Sequence, residues 1–331
     1  MNNKTKEIYT LFRVNGVGPA AIRKITDAGY NTIHELASEC NEEELKKYIR
    51  GKNQASAINE ILNNAERHAE NIEMEIEGLQ SLEIVLYSKW DDKYPMGYKL
   101  IKDPPLFIYT KGNSELLNWQ DSIAVIGTRE CSETGENIAK RAAQYFAEKN
   151  FNIVSGLAKG IDTAAHEGAL NATEGKTTAV LVDIKTIFPE ENTDLAERIL
   201  NNNGLLIAEN PPGTPPAGNL FVRRDRLQSG LSLAVFPIET DIEGGTMHTV
   251  RFAGEQNRLV FVPDLKVIPD YDIYNSKATG ILHLSESDGV GIFTKELYSE
   301  ILEKLETKKS ELYKIKNNQG DPITGQTENI F

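Results

Sequence analysis

The stretch from Asp121 to His166, DSIAVIGTRECSETGENIAKRAAQYFAEKNFNIVSGLAKGIDTAAH, constrains the fold more than any other part of the chain. It opens on an apolar run, Ile123–Ile126, that breaks at Gly127-Thr128-Arg129. Ile138, Ala142 and Phe146, with Ala139, Ala143 and Ala147, then recur at helical spacing. A second apolar run, Phe151–Val154, breaks at Ser155-Gly156. This is a strand–turn–helix–strand unit whose strands both end on small, polar turns. In doubly wound sheets, ligands sit beyond the carboxyl ends of such strands, where glycine admits a close backbone approach and helix N-termini attract anions. The unit therefore predicts a phosphate-binding face.

The alternation continues downstream. Apolar segments at Thr178–Val182, Leu205–Ala208, Leu233–Ile238 and Leu259–Val262 are separated by helical patterns, which brings the strands from residue 120 onward to six. Such alternation predicts an α/β fold with an open, doubly wound, mostly parallel sheet over residues 120–292. Residues 1–75 read as a small helical domain. Its turn Asn15-Gly16-Val17-Gly18-Pro19 resembles a helix-hairpin-helix (SAM-like) motif, whose backbone N–H groups can hold a DNA phosphate. A hairpin that merely packs two helices fits equally, and the acidic neighbours Asp27, Glu35, Glu39 and Glu42–Glu44 favour it. Residues 76–119 form a connector with lead-in strands at Ile84–Tyr87 and Leu106–Tyr109. In residues 293–331, Leu297, Ile301, Leu305, Leu312 and Ile315 predict an amphipathic helix over Lys295–Lys316, folded back on the body or pairing with another subunit, followed by a frayed tail.

Charge limits the partners. With 36 Lys and Arg against 49 Asp and Glu, the net charge of −13 argues against a protein that coats nucleic acid along its whole surface. A local basic groove remains compatible, because screening confines surface charges to about 10 Å in ordinary salt. No apolar run approaches the ~18 residues of a membrane span, and the N-terminus carries no signal-peptide core. Cys40 and Cys131 stand far apart and form neither a disulfide framework nor a metal-ligand pattern. A cytoplasmic protein without metal, cofactor or membrane partner is expected.

Four segments would meet at one edge of the sheet: Gly127-Thr128-Arg129; Ser155-Gly156-Leu157-Ala158-Lys159-Gly160-Ile161-Asp162, running on to His166; a loop at Phe221–Arg226 carrying Arg223, Arg224, Asp225 and Arg226; and Gly244-Gly245-Thr246 with Met247-His248-Thr249. Glycines, small hydroxyls and cations suit phosphate through backbone N–H groups and charge-assisted bonds. Arginine matches phosphate bidentately, whereas Lys159 would act as a point charge. Blander roles stand beside these. Asp162 fits the N-cap of the following helix, and His166 fits a hydrogen-bonded structural histidine. Three arginines within four residues of so acidic a chain are the feature least easily read as a solvated face.

The order IGTR, SGLAKGIDTAAHEGAL, FPEEN, AENPPGT, F-x-R-R-D-R-L-x-S-G-L-S, GGTMHT and F-V-P resembles the DNA-processing protein A (DprA/Smf) family over residues 80–265. The resemblance implies an extended Rossmann-like fold that binds single-stranded DNA in a basic pocket, commonly dimerises and loads a RecA-type recombinase during transformation. It carries a DNA-contacting role onto Arg129, Lys159, Arg223, Arg224 and Arg226, and no catalytic residue. Three departures stand out. Arg224-Asp225-Arg226 replaces Arg-Asn-Arg, and Gly244-Gly245-Thr246-Met247 replaces Ser-Gly-Ser-Leu, nearer to lysine-decarboxylase-like (LOG) nucleotide-processing proteins. The C-terminal winged helix of many members is expected to be absent. Two other readings remain: a nucleotide sensor or antitoxin-like regulator with a toxin or phage-defence effector as partner, and a nucleotide hydrolase using Asp162, Asp225 or Glu239.

Overall fold

The computed structural model describes residues 2–314, and the expected tail at 317–331 lies outside them, as do Ile315 and Lys316. Contacts divide the chain into two units, one up to Tyr94 and one from Pro95 onward.

In the first unit, capping residues set the helix starts. α1 (Asn3–Phe12) begins where Asn2 accepts from Thr5 N, and Pro19 stands at the first position of α2 (Pro19–Asp27). Thr32 with Glu35 and Asn41 with Glu44 form capping boxes at α3 (Ile33–Glu39) and α4 (Glu42–Tyr48). α5 (Gln54–Asn63) and α6 (Ala65–Ser81) follow, then β1 (Val85–Ser88). Ile8, Leu11, Ile22, Ile25, Leu36, Leu45 and Ile61 are buried among these helices. Beside the Asn15–Pro19 turn, Glu75 accepts from Arg13 Nε at 3.0 Å and from Tyr9 Oη at 2.6 Å, so carboxylate already engages the nearest arginine.

The second unit is the α/β body. Its elements are α7 (Met96–Lys99), β2 (Phe107–Gly112), β3 (Ser122–Ile126), α8 (Glu133–Glu148), β4 (Asn152–Ser155), α9 (Ile161–Asn171), β5 (Lys176–Leu181), α10 (Thr193–Asn201), β6 (Leu205–Ala208), α11 (Gly218–Gly230), β7 (Ala234–Pro237), α12 (Thr246–Glu255), β8 (Leu259–Pro263), α13 (Ser276–Ser285), β9 (Val290–Phe293) and α14 (Tyr298–Lys314). The strands lie in the order β2-β6-β5-β4-β3-β7-β8-β9. All neighbours are parallel except β2 against β6, where Tyr109 faces Ala208. Strands β3 to β7 are buried at nearly every residue, as parallel strands covered on both faces must be.

The chain winds outward from β3 through β4 and β5 to β6, then returns to lay β7 on the other side of β3. The winding reverses between β3 and β7, and the carboxyl ends of strands at such a reversal frame the binding crevice of a doubly wound sheet. The expected fold class is the observed one. Neither β9, four residues with Gly291 inside it, nor α13, which has no clear apolar stripe, had a sequence signal. The amphipathic helix α14 folds back on the body, where Tyr298, Ile301, Leu305 and Leu312 join Phe146, Phe236 and Phe293 in the core. Close helix packing supports the site strands: a Cβ on Gly168 of α9 would stand 2.2 Å from the Lys140 carbonyl oxygen of α8.

Candidate functional site

The turns after β3 and β4 are built against each other. Thr128 N donates to Glu239 O at 2.8 Å, and Thr128 O accepts from Ile161 N at 3.2 Å. Gly160, at φ +73°, lets the second turn pass where any Cβ would stand 2.5 Å from Thr128 O. Ser155 points inward: its buried hydroxyl donates to Val125 O at 2.7 Å and is a structural tie. Gly156 admits the Arg224 guanidinium, since a Cβ there would lie 1.7 Å from Nη1. Lys159 is half-exposed and pairs with Glu191 at 2.5 Å. Arg129 is exposed, with its guanidinium 5.5 Å from the centre of the Phe221 ring.

The expected arginine loop is a helix. Residues 223–226 lie within α11, and helical geometry separates their side chains. Arg224 and Arg226 stand about 200° apart around an axis that turns roughly 100° per residue, so they cannot face one pocket. Arg226 is buried and grips Glu209 bidentately, Nη1 to Oε2 at 2.9 Å and Nη2 to Oε1 at 2.8 Å, while Nε donates to Asp103 O. Arg223, one turn earlier, reaches the same Glu209 Oε1 at 2.8 Å. Arg224 alone turns toward the sheet edge, where Nη1 donates to Val180 O at 2.8 Å and buried Nε finds no hydrogen-bond partner among the described residues.

Two carboxylates flank that guanidinium. Asp162 lies in the first turn of α9 rather than at its cap, which is Gly160; its Oδ2 accepts from Gly156 N at 3.1 Å and Ala158 N at 3.4 Å. Burial pushes its carboxyl up, against the opposing pull of Arg224 and these N–H groups. Burial, with the Asp162 charge adding to it, raises Asp225 to about 6, while Arg224 and Arg129 pull the other way. His166 is fully buried, and burial with Arg224 nearby depresses it to about 3. The Thr177 hydroxyl donates to Ile153 O at 2.7 Å, so it must accept from His166 Nδ1, also at 2.7 Å. His166 is therefore a neutral Nδ1–H tautomer, a structural residue and not a proton carrier.

The opposite wall comes from β7 and α12. Gly244 and Gly245 form the turn ahead of α12, and Thr246 is its first residue. Glu239 is sealed off beneath them: Ser132 N and Oγ donate to its two oxygens at 2.8 and 2.6 Å, and Tyr271 Oη adds a third bond at 2.7 Å. It anchors the start of α8.

Gly127, Thr128, Arg129, Asp162, Arg224, Asp225, Gly244, Gly245 and Thr246 line one cleft of about 850 Å³. Arg129, Gly156, Lys159 and Arg224 line a neighbouring cleft of about 270 Å³, with Glu191. Both are walled by Phe188 and Phe221, whose ring centres are 5.6 Å apart. Ser155, Gly160, His166, Arg223, Arg226 and Glu239 line neither. Sequence reading missed Phe188, Gln228 and Lys277. Gln228 follows Phe221 and Asp225 at helical spacing, so reading 218–230 as a helix would have exposed it. Lys277 comes from α13, and no local pattern marks it. Among the described residues no cluster of His, Cys, Asp or Glu suits a metal ion, and no helix is long and apolar enough to cross a membrane.

The family described as DNA recombination-mediator protein A matches this chain over residues 85–304. The DNA processing protein DprA of Bacillus subtilis is 31% identical over 214 residues, 64% of this chain and 69% of that protein. The DNA processing protein DprA of Streptococcus pneumoniae is 38% identical over 176 residues, 53% of this chain and 61% of that protein. Among solved structures, DNA processing protein A of Streptococcus pneumoniae superposes with a TM-score of 0.72 at 28% identity, covering 91% of this chain and 99% of that one. DNA processing protein A of Helicobacter pylori, described for its single-stranded DNA binding mode, superposes with a TM-score of 0.58 at 26% identity, covering 67% and 96%.

Proposed function

Because the chain belongs to the DNA recombination-mediator protein A family, we propose that it binds single-stranded DNA and assists the loading of a RecA-type recombinase on that strand. The observation that carries this reading is the meeting of Arg129, Lys159 and Arg224 around the Phe188–Phe221 pair at the reversal of the sheet. Cations that track a phosphate backbone beside aromatic rings on which bases stack are what a single-strand site requires. Arg224 supplies a fixed fork, held on Val180 O with Nε still to be satisfied. Arg129 and Lys159 supply exposed charges, and phosphate would replace Glu191 as the partner of Lys159. Arg223 and Arg226 are committed to Glu209 and take no part.

Titrating a labelled thymidine 20-mer at a series of salt concentrations tests this. Three cations neutralising phosphate give a slope of log affinity on log salt of about −2, from ~0.7 per contact on a single strand. The affinity should then fall more than tenfold between 50 and 200 mM salt, by about that slope. Binding that ignores salt, or no binding at 50 mM, would overturn the reading.

A further inference from the structure

The deeper cleft poses a chemical puzzle for a phosphate site. Its lining carries Arg129, Arg224 and Lys277, yet also Glu130, Asp162, Asp225 and Asp241. Lys277 already faces Asp241 at 3.4 Å. Such a lining does not favour a polyanion backbone, but it suits a group that offers hydrogen-bond donors.

The face of α11 toward this cleft carries Phe221, Asp225 and Gln228, at positions i, i+4 and i+7. Asp225 is held by one oxygen. Gln228, with its amide turned so that both ends find partners, donates to Asp225 Oδ1 at 3.2 Å and accepts from Gly156 N–H at 2.9 Å. Arg224 Nε lies 3.4 Å from the same Oδ1. Asp225 Oδ2 makes no hydrogen bond among the described residues. An aromatic ring thus stands one helical turn from a carboxylate that is oriented but not saturated.

We infer that the deeper cleft is a base-reading subsite that selects guanine from the bound strand: the base lies against Phe221 while the Asp225 carboxylate accepts from guanine N1–H and N2–H. The inference rests on the single-strand reading above. An ionised carboxylate only accepts. Of the four bases, guanine alone presents two adjacent N–H donors on its Watson–Crick edge. Thymine offers one, while adenine and cytosine set an acceptor beside their donor, where it repels a carboxylate. The two clefts share Arg129, Phe188, Phe221 and Arg224, so one nucleotide can keep its phosphate on the Lys159 side and place its base on the Asp225 side.

The test compares, by fluorescence anisotropy on the full chain at pH 8, a thymidine 20-mer with the same oligomer carrying a central guanine. About tenfold tighter binding of the guanine oligomer is expected, in the range a bidentate base contact supplies. Inosine at that position, which lacks the 2-amino group, should lose most of the gain without any change to the protein. Asp225→Asn should bind both oligomers equally. Equal binding by the unaltered protein, or a guanine preference that survives in Asp225→Asn, would overturn the inference while leaving the single-strand reading standing. If no oligomer binds, that reading fails by itself. Thermal protection by guanosine monophosphate over the other nucleoside monophosphates, lost in Asp225→Asn, then decides for the pocket, and its absence decides against it.

Discussion

The two clefts that meet at Phe188 and Phe221 share a wall and differ in charge. The smaller gathers Arg129, Lys159 and Arg224 against Glu191, an excess of cations. The larger sets Arg129, Arg224 and Lys277 against Glu130, Asp162, Asp225 and Asp241, an excess of carboxylates. The chain as a whole carries −13, so the smaller cleft is the local exception. This difference argues that a nucleotide is divided across the aromatic pair, phosphate toward the cations and base toward the carboxylates. The comparison breaks if substitutions on the two sides have the same effect.

The largest effect is expected on the cationic side. Arg129→Ala with Lys159→Ala removes two phosphate partners from exposed positions, where neither supports the fold. Affinity for a thymidine 20-mer in low salt should fall about 100-fold, and the salt slope should flatten by about 1.4, from ~0.7 for each lost contact. Lys277→Ala, across the aromatic pair and already neutralised by Asp241, should change the slope by less than half as much as one such contact. Anisotropy titrations at several salt concentrations read both. A flattening as large in Lys277→Ala as in the double variant would erase the distinction between the clefts.

Much of this arrangement was legible in the chain. The Asp121–His166 unit predicted strand, turn, helix and strand, and β3, α8, β4 and α9 follow it, because buried parallel strands and small-residue helices leave strong periodic signals. Arg129, Lys159, Arg224 and Asp225 do line the clefts. The error at Phe221–Arg226 has a physical source. Polar residues and adjacent charges read as a loop, because α11 ties its arginines to Glu209 and to carbonyl oxygens rather than presenting an apolar stripe. Its weak amphipathicity hid both the helix and the division of labour among its three arginines. Glu209, the anchor of Arg223 and Arg226, stands just past the end of β6, and only the fold brings it there. Lys277 was out of reach for the same reason.

On the carboxylate side the effect is one of stability and pH. Asp225 faces Arg224 and Gln228 from its own helix, Asp162 from α9 and Arg129 from the turn after β3, and burial lifts it from the ordinary 3.8 to about 6. A carboxyl whose folded value is raised contributes its stability in the protonated form. That contribution is complete below about pH 4 and is lost as pH rises through 6. Asp225→Asn should therefore stabilise the protein at pH 8 by about 3 kcal/mol, at 1.36 kcal/mol per unit of displacement, and by almost nothing at pH 4. Denaturant unfolding at both pH values measures it. The depressed His166 loses stability in the opposite sense, as pH falls below 6.5, but it does so in both variants and cancels in the difference. A stabilisation independent of pH would mean that the charge at 225 is not what the site carries at a cost.

The smallest effect sharpens the comparison from within the cationic cleft. Glu191 holds Lys159 through an ion pair with both partners more than half exposed, and it is the one carboxylate lining that cleft among the described residues. Glu191→Gln keeps the side-chain shape and frees the ammonium. Oligonucleotide affinity should rise about threefold at low salt, the modest scale of an exposed pair, and the gain should fade at 0.5 M as screening removes what the pair contributed. The matching substitution in the other cleft, Asp241→Asn, releases Lys277 instead. It should leave thymidine binding within experimental error if phosphate keeps to the Lys159 side. Equal gains from the two substitutions would place phosphate on both sides of the aromatic pair, and the carboxylate-lined cleft would then lose its claim to the base.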